Sequence, residues 1–283
     1  MSQVNLSTNA QNTWCPGCGN FAIMNAIKSV LLELNQEGFP LEKFVIVSGI
    51  GCHAKIVDYL NVNSFYSLHG RVVPVAEAIK IARPDIKVIG FAGDGDCYGE
   101  GLEHLIFSAK RNIDITMIIH NNRVYGLTTG QYTPTSPLGY RGRSTPQGTK
   151  ESPINPLELM LASGATFLGR GTSHGLELLK KLFKDAILHK GFSLVDVLQV
   201  CVTFYNMYEY YDKRVYELEG HDALDYLKAQ EKIREWDYNS DKAIALGLFY
   251  KKEAPTFEES FNRDILSVQE KDSKLKAYLQ LLM

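Results

Sequence analysis

Two apolar segments of this chain each end in a turn that carries acidic or amide side chains. Lys87–Ala92 leads into Gly93-Asp94-Gly95-Asp96, and Ile115–His120 leads into Asn121-Asn122. Gly101–Arg111 between them has a helical pattern, so this stretch of the chain follows the order strand, helix, strand. That order is typical of a βαβ unit and predicts an α/β fold, in which helices flank a parallel sheet.

The rest of the chain continues this alternation up to about residue 202. Apolar residues recur near the helical period in Asn20–Glu37 and Val72–Ala82, and Phe44–Val47 is a short apolar run typical of a buried strand. Later we expect helices near Pro156–Ser163 and His174–His189 and strands at Thr166–Gly169 and Ser193–Val200. The pattern predicts an α/β domain over residues 1–202.

Two segments depart from the alternation. Tyr125–Pro153 is rich in Gly, Thr, Ser and Pro, and a loop of this length in a compact domain is usually functional or disordered. From Thr203 the chain is charged, with five tyrosines between 205 and 216 and weak periodicity. We expect residues 203–283 to be a C-terminal extension that packs on the domain or on a partner.

The composition narrows the class of protein. A net charge of −2 argues against a nucleic-acid partner, and no apolar run approaches the ~20 residues that a membrane span needs. The first 13 residues are polar and carry no secretory signal pattern. We therefore expect a cytoplasmic protein, in which thiols stay reduced, so the five cysteines are metal ligands or core residues rather than disulfides.

The turns after the two strands have the ligands of a magnesium site. Ligands of open α/β sheets bind at the carboxyl ends of the strands, where both turns lie. The Asp94 carboxylate, the Asn122 side-chain carbonyl and the Val124 backbone carbonyl would supply three oxygens, and a diphosphate would supply two more. The sequence therefore predicts a Mg²⁺ ion that holds a diphosphate.

Four cysteines are candidates for a second metal site. Cys15 and Cys18 form a Cys-Pro-Gly-Cys pair, which on its own suits a zinc half-site or a redox dithiol. Cys52 and Cys201 each follow a strand, on the edge predicted to hold the diphosphate. Together the four thiolates fit a [4Fe–4S] cluster, while zinc and buried structural cysteines remain alternatives. We expect Cys97 to be a small buried residue rather than a ligand.

Several motifs occur in the order found in one family. Gly93–Asp96 and Asn121–Gly126 resemble the thiamine diphosphate motif of thiamine-dependent enzymes. More specifically, the chain resembles the β subunit of 2-oxoacid:ferredoxin oxidoreductases over about residues 14–205, in Trp14–Gly19, Ser48–Cys52, His69-Gly70-Arg71 and Asn122–Gln131. The resemblance implies a thiamine diphosphate-binding (PP-type) fold, with Mg²⁺ at Asp94, Asn122 and Val124. It implies a [4Fe–4S] cluster on Cys15, Cys18, Cys52 and Cys201, and thiamine contacts from Ile50, Gly51, Cys52, His53, His69, Gly95, Asp96, Gly126 and Leu127.

The reaction of that family is the oxidative decarboxylation of a 2-oxoacid, with coenzyme A accepting the acyl group and ferredoxin the electrons. Thiamine enzymes also need a glutamate against the aminopyrimidine ring. Glu77 and Glu103 lie on predicted helices and are expected at the surface or at helix caps. We therefore expect an α subunit to supply this glutamate, with the N-terminal arm and the tyrosine-rich extension as contact surfaces.

Substrate choice rests on few residues. In family members of this type a lysine at the position of Lys55 is linked to 2-oxoacid recognition, which favours 2-oxoglutarate, or an enzyme that also uses pyruvate; a surface lysine is the alternative. Leu127 is expected in the substrate pocket. His53 departs from the small polar residue expected after the cluster cysteine, and His69 and Arg71 would bind an anion or anchor their loop.

Two other functions would account for part of these motifs. A non-redox thiamine-dependent decarboxylase subunit would keep Asp94 and Asn122 but would not need four cysteines. A zinc-stabilised binding subunit would not need an intact diphosphate site.

Overall fold

The computed structural model describes residues 5–261 and 268–282. The strands in these residues are β1 (Phe44–Ser48), β2 (Asn63–Tyr66), β3 (Lys87–Gly93), β4 (Thr116–Asn121), β5 (Val124–Tyr125), β6 (Gln131–Tyr132), β7 (Phe167–Thr172), β8 (Ser193–Leu198), β9 (Val215–Glu217) and β10 (Ile244–Lys251). The α-helices are α1 (Asn20–Gln36), α2 (Ile56–Tyr59), α3 (Val72–Ala82), α4 (Leu102–Arg111), α5 (Pro156–Ala162), α6 (Leu176–Leu188), α7 (Tyr208–Asp212), α8 (Tyr226–Arg234) and α9 (Val268–Leu281). Shorter 3₁₀ turns occupy Leu41–Lys43, His53–Lys55 and Glu258–Phe261, and a π-helical turn occupies Gly95–Glu100.

Eight strands form one sheet in the order β2-β1-β3-β4-β8-β7-β10-β9. Neighbouring strands run parallel except β7 and β10, which are antiparallel. The predicted α/β class with a parallel sheet and flanking helices is therefore confirmed.

The central strands are buried on both faces. In β4, Met117 and Ile119 belong to one hydrophobic cluster and Ile118 belongs to another on the opposite face. Helices α3, α4 and α5 cover the first face, and α1 and α6 cover the second. Burial on two faces explains why these strands are continuous apolar runs without polar alternation.

The boundaries predicted from periodicity agree closely with the structure up to β8. Helix α3 spans the predicted Val72–Ala82, and α1 ends at Gln36, one residue before the prediction. Strand β7 is longer than predicted, because it continues to Thr172. The end of a buried strand is set by its partner, and β7 pairs with β8 up to Leu198.

The chain after residue 202 contributes to the same sheet. Strand β10 pairs with β7, and β9 pairs with the other side of β10, although the sequence analysis assigned no strand here. A third hydrophobic cluster joins Trp236 and Tyr238 to Leu198 at the end of β8. The contacts continue beyond β10, since Asn112 donates to the carbonyls of Ala254 and Pro255, and Phe257 packs on the first hydrophobic cluster. A domain boundary at 202 remains a prediction.

The long loop that begins at Tyr125 is compact. Strands β5 and β6 form a small antiparallel hairpin, and the following segment folds back with backbone hydrogen bonds between Gly139 and Thr149 and between Thr149 and Tyr140. In the part of the chain described, we find no helix that combines the length and the apolar character needed to cross a membrane.

Candidate functional site

The carboxyl ends of four strands meet at one edge of the sheet. β1 leads to Gly49–Cys52, β3 to Asp94, β4 to Asn121-Asn122, and β8 to Cys201. A cavity opens at this edge and is lined by Ile50, Gly51, Cys52, His53, His69, Gly93, Asp94, Gly95, Asp96, Asn122, Val124, Tyr125, Gly126, Leu127 and Thr128. The structure thus brings together, around this cavity, every residue that the sequence predicted for Mg²⁺ and for thiamine diphosphate; the roles of these residues remain predictions.

Asp94 is a buried carboxylate at the base of this cavity. Its Oδ2 accepts a hydrogen bond from Thr135 Oγ1 at 2.9 Å. Burial raises the pKa of Asp94 to about 6, while hydrogen bonds from Thr133 and Thr135 act in the opposite direction. Ion pairs within the described residues do not include Asp94. A buried carboxylate without a cationic partner suits a bound divalent cation, which would offset the cost of burying the charge.

The turn after β4 orients the other two predicted magnesium ligands. Asn122 Oδ1 accepts a hydrogen bond from the Val124 N–H at 3.0 Å, so the turn closes on itself. Arg123 between them has φ 64°, a left-handed conformation that is unusual for this residue type. Its buried guanidinium donates to the carbonyls of Thr135 and Tyr238, and these bonds hold the turn.

Asp96 lies at the centre of a tightly packed group. Its Oδ1 accepts a hydrogen bond from the Gly70 N–H at 2.6 Å. A Cβ at Gly49 would lie 1.9 Å from Asp96 Oδ2, so this close approach requires glycine. His53 is buried, and its Nε2 lies 3.2 Å from Asp96 Oδ2, but the two atoms lack hydrogen-bond geometry. Neither atom has a hydrogen-bond partner among the described residues, and both residues line the cavity.

A second buried histidine, which the sequence analysis did not identify, lies beneath the site. His120 Nδ1 is 2.8 Å from Asn20 Oδ1, and burial lowers the pKa of His120 well below its usual range, so the ring is neutral. The rings of His120 and His53 are 5.8 Å apart. Nε2 of His120 and Nδ2 of Asn20 have no hydrogen-bond partner within the described part of the chain. The sequence signal that could have identified His120 is its position near the end of an apolar strand.

Tyr125 was also missed and forms one wall of the cavity. Its ring packs so closely on Gly95 that a Cβ there would lie 2.2 Å from the ring. Its hydroxyl donates to the Gly95 carbonyl at 3.2 Å, and burial raises the pKa of Tyr125 to about 12. Leu127 and Ile50 are exposed at the mouth and give it an apolar rim.

The four predicted cluster cysteines line a second cavity. Its lining residues are Thr13, Trp14, Cys15, Cys18, Asn20, Cys52, Lys55, Asn122, Gly126, Gln199, Cys201, Val202, Thr203 and Phe204. Cys52, Asn122 and Gly126 line both cavities. A Cβ on Gly126 would lie 3.6 Å from Cys52 Sγ and 3.7 Å from Cys201 Sγ. One loop therefore separates the two cavities.

The four thiols lie close enough to affect one another. Burial raises the pKa of Cys18 to about 11; the backbone N–H of Asn20 opposes this shift, and Cys201, Cys52 and Cys15 add to it. No three His, Cys, Asp or Glu side chains of the described residues converge on a point that could hold one metal ion. The cysteines instead surround a cavity. Four thiolates facing one cavity fit a positively charged metal group, since their mutual repulsion would otherwise oppose ionisation.

The other residues considered from the sequence for substrate binding, anion binding, catalysis or metal binding do not line the first cavity. Lys55 lines the cysteine cavity instead, and its Nζ donates to Thr13 Oγ1 at 2.9 Å. Arg71 donates to the carbonyls of Gly70 and Glu100 and thereby anchors its loop. Glu77 lies 3.9 Å from Arg111, whereas Glu103 is exposed on the surface. Cys97 is buried in the core and lines neither cavity.

Two family models match consecutive parts of the chain. Residues 49–197 match the thiamine pyrophosphate enzyme, C-terminal TPP binding domain. Residues 201–263 match the model for the C-terminal part of the pyruvate ferredoxin oxidoreductase β chain. The second match begins at Cys201 and covers the segment that contributes β9 and β10.

Individual proteins show the same similarity. The chain is 42% identical over 263 residues to the 2-oxoacid:ferredoxin oxidoreductase subunit beta of Saccharolobus solfataricus, covering 88% of this chain and 85% of that one. It is 35% identical to the 2-oxoglutarate synthase subunit KorB of Methanocaldococcus jannaschii, covering 88% and 91%. Among solved structures, the chain is similar to the 2-oxoglutarate:ferredoxin oxidoreductase of Magnetococcus marinus, which was solved with 2-oxoglutarate, coenzyme A and succinyl-CoA bound. The two superpose with a TM-score of 0.86 at 33% sequence identity, and the match covers 95% of this chain and 94% of that one.

Proposed function

This chain belongs to the β subunits of 2-oxoacid:ferredoxin oxidoreductases, and from this premise we propose how its residues serve that reaction. With its partner subunit the chain would decarboxylate a 2-oxoacid oxidatively, with coenzyme A as acceptor of the acyl group, and a [4Fe–4S] cluster held by this chain would supply the electron transfer to ferredoxin. The observation that supports this most is the loop at Gly126, which separates the cofactor cavity from the cysteine cavity. Electrons released at the first cavity would have only this loop to cross.

The first cavity would hold Mg²⁺ and thiamine diphosphate. Asp94, Asn122 and the Val124 carbonyl would bind the ion, and the ion would bind the diphosphate. Ile50, Gly51, Cys52, His53, His69, Gly95, Asp96, Gly126 and Leu127 would contact the cofactor. Thiamine diphosphate, when bound, supplies the carbanion chemistry of decarboxylation. The protein residues would orient the cofactor. Asp96 Oδ2 and His53 Nε2 form no hydrogen bond with any described residue, which supports a polar ligand there.

The second cavity would hold the [4Fe–4S] cluster on Cys15, Cys18, Cys52 and Cys201. Cys52 lies on both cavities, which supports a short path for electrons. The thiolates would have to stay reduced until the cluster is assembled, so we place the protein in the cytoplasm.

The glutamate that promotes ylid formation would come from an α subunit. Glu77 and Glu103 line neither cavity, and the cofactor cavity is open to the surface at Ile50 and Leu127. A partner that covers this mouth would complete the active site and exclude water. The chain alone is therefore expected to be inactive.

We propose 2-oxoglutarate as the favoured 2-oxoacid, with pyruvate as a further substrate. The support for 2-oxoglutarate is the similarity to the 2-oxoglutarate synthase subunit KorB and to the 2-oxoglutarate:ferredoxin oxidoreductase structure. Lys55 lines the cysteine cavity, so its ammonium group would have to meet a substrate carboxylate beside Cys52, which lines both cavities. Leu127 would contact the substrate at the cavity mouth.

The test is the metal and cofactor content of the complex purified without oxygen together with its partner. We expect about four irons and four sulfides per β chain, with bound thiamine diphosphate. Changing Cys15, Cys52 or Cys201 to Ala should remove the iron, and the Cys15 and Cys201 variants should still bind thiamine diphosphate, whereas Cys97→Ala should keep both iron and thiamine. Zinc or no metal with thiamine bound would favour a non-redox decarboxylase subunit. Zinc without thiamine would favour a zinc-stabilised binding subunit.

A further inference from the structure

Two side chains donate hydrogen bonds to cysteine sulfurs in the second cavity. Thr203 Oγ1 lies 3.3 Å from Cys15 Sγ, and Gln199 Nε2 lies 3.6 Å from Cys18 Sγ. Both residues line the cysteine cavity. Binding of the cluster requires only the four thiolates, so these two donors have a role that remains to be assigned.

The direction of each hydrogen bond follows from its surroundings. Gln199 is buried, and its Nε2 also lies 2.6 Å from the Val200 carbonyl oxygen. The opposite amide orientation would bring two oxygens together, so the NH₂ group faces both Val200 and Cys18. Within the described part of the chain, Cys15 Sγ is the one hydrogen-bond partner of the Thr203 hydroxyl.

The donors are concentrated on one side of the cavity. Cys15 and Cys18 belong to a single turn, closed by the Cys18 N–H on the Cys15 carbonyl at 3.0 Å. The backbone N–H of Asn20, at the start of α1, also acts on Cys18. No side chain of the described residues donates a hydrogen bond to Cys52 or Cys201. Among the described residues, side-chain hydrogen bonds to the cysteine sulfurs are therefore confined to the Cys-Pro-Gly-Cys turn, whereas Cys52 experiences the charge of Lys55.

Resting on the cluster proposed above, we infer that Thr203 and Gln199 tune its reduction potential through these hydrogen bonds. The cluster would take electrons one at a time from the 2-oxoacid as it is oxidised and decarboxylated, and would pass them to ferredoxin, so its reduced form would carry one more negative charge. Part of that charge resides on the cysteine sulfurs. A hydrogen bond to sulfur therefore stabilises the reduced form more than the oxidised form and raises the potential.

The experiment is a redox titration of the complex with its partner subunit, followed by electron paramagnetic resonance of the reduced cluster. Thr203→Val removes the hydroxyl at nearly constant volume, and Gln199→Leu removes the amide. Both should shift the midpoint potential to more negative values, and Thr203→Ser should restore the potential of the unsubstituted protein. The shift should be larger for Gln199→Leu, because a buried hydrogen bond acts in a lower dielectric.

Iron and sulfide are measured in every variant. An unchanged or more positive potential in Thr203→Val, with iron and sulfide retained, would overturn the inference while the proposed cluster stands. Absence of iron and sulfide from the unsubstituted complex would overturn both. If Gln199→Leu loses iron, Thr203→Val decides the outcome, because Thr203 is exposed and its side chain has no other hydrogen-bond partner among the described residues.

Discussion

The Thr135 hydroxyl lies 2.9 Å from the Asp94 carboxylate, although the two residues are 41 positions apart. The same hydroxyl lies 2.9 Å from Asn121 Oδ1, so two acceptors share one donor. Ser136, the next residue, donates to the Arg123 carbonyl at 2.5 Å. The loop after β6 therefore supports the turns after both β3 and β4 through residues that line neither of the two cavities.

Thr135→Val should weaken the Mg²⁺-dependent binding of thiamine diphosphate by roughly 10- to 100-fold, because groups that hold a metal ligand from behind usually matter to this extent. The hydroxyl orients Asp94, and its loss would leave the carboxylate free to rotate or take up a proton. Titration calorimetry of cofactor binding at fixed Mg²⁺ measures the effect. Thr135→Ser keeps the hydroxyl and should bind normally; equal losses in both variants would contradict the prediction.

The pH dependence of metal binding should follow Asp94, whose pKa burial raises to about 6. A proton competes with Mg²⁺ for the carboxylate, so Mg²⁺ affinity should fall by up to about tenfold per pH unit below 6.

Without metal, the folded protein holds the proton on Asp94 more tightly than the unfolded chain does. The contribution of Asp94 to the free energy of unfolding should therefore fall by roughly 3 kcal/mol as pH rises from about 4 to 6.

Comparison with Asp94→Asn isolates this effect from other titrating groups. The difference in free energy of unfolding between the two proteins, measured by urea denaturation without Mg²⁺ across that pH range, should change in the stated direction. A difference that is independent of pH would show that Asp94 does not titrate in this range.

Two glycines beside the cofactor cavity should respond differently to alanine. A Cβ at Gly49 would lie 1.9 Å from Asp96 Oδ2, so Gly49→Ala should displace Asp96 and cost about 1–3 kcal/mol of stability. At Gly126 the nearest atoms are 3.6 Å or more away, so Gly126→Ala should fold with normal stability. Gly175→Ala, with neighbours at 3.8 Å, is the control. Thermal unfolding of the three variants checks the order, and equal stability of Gly49→Ala and Gly175→Ala would contradict it.

Tyr238→Phe tests the buried network that the C-terminal segment contributes. Tyr238 donates to Asp196 Oδ2, and the other oxygen of Asp196 accepts bonds from Tyr98 and Asn121. Removing a donor to a buried carboxylate should cost about 1.5–3 kcal/mol. The matched control is Tyr66→Phe, which removes a Tyr–Asp hydrogen bond at the surface and should cost less than about 1 kcal/mol. Similar losses in chemical denaturation would show that burial is not the cause.

Lys55→Met should change substrate preference. Loss of the cation should lower kcat/KM for 2-oxoglutarate by roughly tenfold or more and change kcat/KM for pyruvate less, because only 2-oxoglutarate has a second carboxylate. Steady-state assays of the complete complex with both substrates measure the ratio. Lys242→Met, at an exposed lysine, is the control. An equal fall for both substrates would assign Lys55 to the carboxylate that they share.

The site residues that could be predicted are those at strand ends. Asp94, Asn122, Cys52 and Cys201 each follow an apolar run, and parallel strands deliver their carboxyl ends to one edge whatever the detailed packing. His120, Asn20 and Thr135 could not be predicted as a group, because their contacts join positions 14 to 100 residues apart. Such contacts have no periodicity along the chain.

The amino-acid sequence by itself determined the α/β alternation, the strand ends and therefore the grouping of candidate ligands at one edge of the sheet. The apolar run Ile244–Tyr250 indicates a buried strand, but tertiary structure alone decided that this strand, β10, pairs with β7 and that β9 extends the same sheet. It also decided that Lys55 faces the cysteine cavity and that Gln199 and Thr203 meet the sulfurs. The direction of a side chain depends on how neighbouring loops pack, and local sequence does not specify that packing.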